Sequence, residues 1–124
     1  MLTNFEDFTN ELSEDELSIL PAVIHSFRRY KKDSPIRAPE IIEGINDYLT
    51  KKGYKFKMTG PRLRKMVNYI RSNSLLPLIA TSKGYFTDSC KITVMDQIKS
   101  LEERARSIQN CAEGLKKFIE NENN

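Results

Sequence analysis

The sequence predicts a mainly α-helical fold carrying one small β-hairpin and a long C-terminal helix. Three observations lead there. Apolar residues recur at helical spacing in three successive stretches, each bounded by cap and stop residues. Two short apolar runs flank the polar tip Thr81-Ser82-Lys83-Gly84, as a tight hairpin requires. From Val94 onward the apolar positions alternate by four and three residues over more than three heptads, which is a coiled-coil seam.

The first helix is expected to begin near residue 14, because Ser13 and Glu16 form a capping box ahead of Leu17, Leu20, Ile24 and Phe27. Pro21 lies inside that series and should kink the helix or mark a second start, the kink being preferred. Cations at Arg28-Arg29-Tyr30-Lys31-Lys32 suit its C-terminal end, and Asp33-Ser34-Pro35 breaks it. Ile36-Arg37-Ala38 is too short for more than a bend or a one-bridge strand. Pro39 then fits a first helical turn, Ile41, Ile42, Ile45, Tyr48 and Leu49 make the stripe of a second helix, and Gly53 stops it. Thr59-Gly60-Pro61 caps a third helix whose Leu63, Met66, Val67 and Ile70 face the core. Leu75 to Ala80 and Tyr85-Phe86-Thr87 are the two extended runs of the hairpin. In the last helix Ile98, Ala105, Ala112 and Ile119 take a positions, and Val94, Leu101, Ile108 and Leu115 take d positions.

At 124 residues the chain holds one core and an appendage. The expected organisation is an acidic segment over 1–12, a domain over 13–90, a dimerisation helix over 91–121 and a tail over 122–124. Hydrophobic residues at 39% and charged residues at 30% describe a globular protein. No apolar run approaches the roughly 20 residues of a membrane span, and no secretory pattern opens the chain, so a cytoplasmic location is expected. Cys90 and Cys111 have neither metal spacing nor a disulfide framework and are expected to be reduced.

Charge divides along the chain. Residues 1–20 contain six acids and no Lys or Arg, whereas residues 28–91 hold fifteen Lys or Arg against five acids. A basic block of this kind attracts polyphosphate through counterion release. On the third helix, Lys65, Asn68 and Ser72 lie opposite the core stripe, with Arg62 and Tyr69 on one flank and Arg64 and Arg71 on the other. Arg can give two parallel hydrogen bonds to guanine, Asn pairs in the same way with adenine, and Lys mostly supplies phosphate attraction.

The order helix, short strand, helix, helix, strand, turn, strand, helix resembles the winged helix-turn-helix superfamily. The runs GPRLRKMVNYIR and LIATSKGYF look like the small winged-helix proteins of bacteriophages and mobile elements. The resemblance covers roughly residues 14–88. It implies that the third helix enters the major groove and the wing tip approaches phosphate. Together with the exposed face, it points to a surface of Thr59, Gly60, Arg62, Arg64, Lys65, Asn68, Tyr69, Arg71 and the wing residue Lys83. The expected function is non-catalytic binding of double-stranded DNA by a homodimer, as a transcription regulator or a replication or packaging accessory of a mobile element. The alternative is a winged-helix interaction module that assembles a protein complex through its coiled coil.

The remaining candidate groups have plainer explanations. His25, the sole histidine, has no partner motif and is expected to be structural or surface-exposed. Glu14-Asp15-Glu16 reads as a helix start and Glu102-Glu103 as an outer helix face, both solvated. No glycine-rich phosphate loop, HExxH pair or GxSxG elbow occurs, so no catalysis, cofactor or metal is expected. Phe5, Phe8 and Leu12 in the acidic segment are candidates for docking on the partner subunit or recruiting another protein.

Overall fold

Backbone donors at the starts of the first and third helices find the side-chain oxygens that the sequence places there. In the computed structural model, which describes residues 11–122, the chain divides after Ser89 into two compact units. The first helix, α1 (Glu14–Arg28), opens on a complete capping box. Ser13 Oγ accepts from the Glu16 N–H at 3.1 Å, and Glu16 Oε1 accepts from the Ser13 N–H at 2.8 Å. One helix runs through Pro21, so the second start does not occur. Pro21 lacks the amide that would bond back to the Leu17 carbonyl, and both residues are exposed.

The second helix, α2 (Ala38–Lys52), carries Pro39 in its first turn and closes on Gly53, whose φ of 79° is the left-handed conformation a C-cap glycine supplies. The linker over 53–59 alternates as its composition suggests, with Met58 buried, Tyr54 and Phe56 half-buried, and Lys55 and Lys57 exposed. The Tyr54 and Phe56 rings meet edge to face at 5.4 Å. Asn46 of α2 holds this linker at both polar atoms of one peptide residue. Its Oδ1 accepts from the Met58 N–H at 2.7 Å, and its Nδ2 donates to the Met58 carbonyl at 3.1 Å. Asn46→Ala should therefore lower stability by about 1–3 kcal/mol, the cost of leaving half-buried backbone groups unmatched. Urea denaturation checks it; an unchanged midpoint would mean that water replaces the amide without penalty.

The third helix, α3 (Gly60–Ser72), is capped by Thr59, whose hydroxyl accepts from the Arg62 N–H at 3.3 Å. It ends with Ser74 at φ 55° and with the Leu75 N–H bonded back to the Ile70 carbonyl. The chain is still turning there, so the extended run expected from Leu75 starts later. The strands are β1 (Leu78–Thr81) and β2 (Gly84–Thr87), antiparallel, with Thr81 opposite Gly84 and only Ser82 and Lys83 in the turn. Ile36 forms a single bridge on the other edge of β2, exchanging hydrogen bonds of 2.9 and 2.7 Å with Tyr85. Gly84 is required at this crossing. Its φ is 131°, and a Cβ there would lie 2.5 Å from the Ile36 carbonyl oxygen.

The core of this unit joins Ile19, Val23 and Phe27 of α1 to Ile41, Ile45 and Leu49 of α2 and to the inner stripe of α3. Leu12, the last residue of the expected acidic segment, is also buried in it. Phe5 and Phe8 lie outside the described residues. At the far end of α1, the Thr87 N–H and hydroxyl both donate to the Tyr30 carbonyl, fixing the base of the hairpin.

The second unit is one helix, α4 (Lys91–Glu122), which contains no buried residue. It exposes Ile98, Leu101, Ile108, Leu115, Phe118 and Ile119, the last four at 60% or more. Cys90 and Cys111 are exposed and form no disulfide. Among the described residues no helix is long and apolar enough to cross a membrane.

Candidate functional site

Nine Lys and Arg and no Asp or Glu fall between Asp47 and Asp88, a span that includes the linker, α3 and the hairpin. The helix is anchored by four buried side chains, Leu63, Met66, Val67 and Ile70. What it presents elsewhere depends on where each cation goes.

Arg62 and Lys65, expected on the groove-facing surface, converge instead on Glu16. Arg62 Nε donates to Glu16 Oε2 at 2.9 Å, and Lys65 Nζ lies 3.0 Å from Glu16 Oε1. Glu16 is 3% exposed, which corrects the expectation that it is solvated. An unpaired carboxylate at that depth would be costly, and both oxygens are satisfied by cations and by the Ser13 N–H. Burial pushes the Glu16 carboxyl up; the Ser13 amide, Lys65 and Arg62 together outweigh it and hold the group below its ordinary range.

Arg62 is committed further. Its Nη1 donates to the Lys57 carbonyl at 2.8 Å, and its guanidinium lies 5.2 Å from the centre of the Phe56 ring. One side chain thereby joins α1, α3 and the linker before α3. Arg71 has a comparable task, its Nε donating to the Leu78 carbonyl at 2.9 Å, which ties the hairpin to α3. Tyr69 is half-buried and packs against the core.

Arg64 and Asn68 remain exposed on α3, one turn apart. Arg64 reaches back over the first turn, with Nη1 3.5 Å from the place a Cβ on Gly60 would occupy. Thr59 is exposed beside it, and Lys83 is exposed at the hairpin tip, its N–H held by the Thr81 hydroxyl. Neither Arg64 nor Lys83 has an ion-pair partner among the described residues. Of the nine residues expected at the interface, the structure thus leaves Thr59, Arg64, Asn68 and Lys83 fully outward. Gly60 is partly covered, and Arg62, Lys65, Tyr69 and Arg71 serve the fold. Sequence reasoning missed Glu16, Asn46 and Phe56. The one signal for the first was that Arg62 and Lys65, three apart on one helical face, make a site for an acid.

In α4 the expected seam residues fall on one helix as spaced, and Val94 and Ala112 are half-covered while Ile98, Leu101, Ala105, Ile108, Leu115 and Ile119 are exposed. No protein-family model, curated protein or solved structure matches the chain.

Proposed function

We propose that this protein binds double-stranded DNA without catalysis, as a dimer, in the manner of a winged helix. The observation that supports this best is the acid-free stretch between Asp47 and Asp88, with Arg64 and Asn68 outward on α3 and Lys83 at the tip of a hairpin that Arg71 ties to that helix. Arg64 and Asn68 have the donor geometry for base edges, and Thr59 and Lys83 suit phosphate. The α4 helices pair, which joins two such surfaces. The protein acts as a regulator or accessory that occupies DNA.

Arg62 and Lys65 are not groove contacts, because their head groups neutralise Glu16. The triple change Arg64→Ala, Asn68→Ala, Lys83→Ala should weaken binding to duplex DNA at least tenfold and reduce the salt slope by about one unit per lost phosphate contact. Titration of random-sequence duplex across a salt series reads both quantities. Equal affinity of wild type and triple variant would remove this surface from the interface, and no binding at low salt would remove the DNA function. In that second case a protein-assembly module, favoured by the apolar length exposed on α4, takes its place.

A further inference from the structure

We infer that α4 pairs with α4 of a second copy in antiparallel orientation and in full-length register. The inference rests on the dimer proposed above and adds the direction, which the heptad pattern alone leaves open. Three properties of the helix carry it.

The first is volume. In a parallel pair each seam residue meets its own copy, so Ala105 and Ala112 form two thin layers between the thick layers of Leu101, Ile108 and Leu115. Such alternation leaves voids or forces the helices to undulate. In the antiparallel pair a positions face d positions. Ile98 then meets the partner's Leu115, Leu101 the partner's Ala112, and Ala105 the partner's Ile108. By symmetry, four consecutive central layers each combine one large and one small side chain, the interdigitation that close packing favours. Val94 and Ile108 at d point the same way, because β-branched residues at d do not favour parallel dimers.

The second is charge at the ends. Continuing the heptad, Lys91 is an a residue and Glu122 a d residue. A parallel pair sets Lys91 against Lys91 and Glu122 against Glu122. The antiparallel register sets Lys91 against the partner's Glu122 at both ends, so that the whole helix is used without an overhang.

The third is the helix dipole. The first turn of α4 has no acid and the last turn no base, the reverse of what a helix prefers. Antiparallel pairing brings the partner's Glu122 to the N-terminus and Lys91 to the partner's C-terminus, correcting both ends at once. No flanking pair sets like charges together in either orientation, so the layers and the ends decide.

The full chain tests this directly. Its mass in solution is measured first, and the wild-type dimer is then treated with a zero-length carbodiimide. A Lys91–Glu122 amide, found by mass spectrometry of the dimer band, is the expected product; one helix about 48 Å long cannot make it within itself. In a Cys90→Ser, Cys111→Ser background, Ile98→Cys and Leu115→Cys proteins are then mixed in a glutathione redox buffer. Formation of the mixed 98–115 disulfide, with each variant alone remaining reduced, is expected. Self-linked 98–98 and 115–115 products from a dimer would overturn the orientation and leave the dimer intact. A dimer with no product in either experiment would overturn the register, and a monomeric mass would overturn the dimer itself.

Discussion

Replacing Glu16 with Ala is expected to destabilise the N-terminal unit by about 2–3 kcal/mol, more than a loss at any of the exposed cations. The carboxylate is buried, accepts from the Ser13 N–H at the α1 cap and binds Arg62 and Lys65 on α3, so its removal leaves two inward-leaning cations without a counter-charge. The partial exposure of those cations, 30% and 25%, keeps the loss below that of a fully buried pair. Urea denaturation at neutral pH measures it, and a change under about 0.5 kcal/mol would show that the pair is no more than a surface contact. The acid side follows with a defined sign. Because the folded-state value is depressed, the Glu16 contribution is fully present above the unfolded carboxylate range and is lost as pH falls through the folded value. Glu16→Gln should flatten that part of the stability profile, and a parallel slope in both proteins would assign the acid sensitivity elsewhere.

Placing a charge in the middle of α4 should have the other large effect. In the proposed antiparallel dimer Ile108→Glu would set two carboxylates against Ala105, and the dissociation constant should rise at least a hundredfold, about 3 kcal/mol. Sedimentation should give a monomer at concentrations where wild type is dimeric. The salt slope for DNA should then fall by about half, since a single subunit displaces half the counterions. An Ile108→Glu protein that remained dimeric would place the interface on another face of the helix. Glu103→Lys, on the outer face at an exposed position, is the matched control.

The parts of this fold that were legible in the sequence are those set by local chemistry. Ser13, Gly53 and Thr59 each mark a helix boundary through a hydrogen bond or backbone angle belonging to that residue and its near neighbours. The Thr81–Gly84 turn is similarly local. Apart from the late start of β1, the differences concern which elements meet. Helical periodicity puts Arg62 and Lys65 away from the Leu63 stripe, and that placement is correct within α3; it carries no information about where the N-terminus of α1 lies. Glu16 already had a sufficient local role in the capping box, which concealed its second role as a buried counter-ion. Asn46 had no local role at all, and its two bonds to Met58 come only from the approach of α2 to the linker. A cationic helix face is visible in one dimension, but the division of its cations between solvent and the interior is not.

The position of Glu16 also bears on the order of folding and the lifetime of the native state. Its link to Arg62 joins residues 46 apart along the chain, so a long loop must close before it forms. Local bonding can build α1 with its cap beforehand, but the carboxylate can shed its water only when both cations arrive with α3. Desolvation and neutralisation are thus expected to come together, late in folding. The energy of that event belongs mainly to the barrier against opening, so losing the carboxylate should shorten the time the protein stays folded while leaving its refolding speed nearly unchanged.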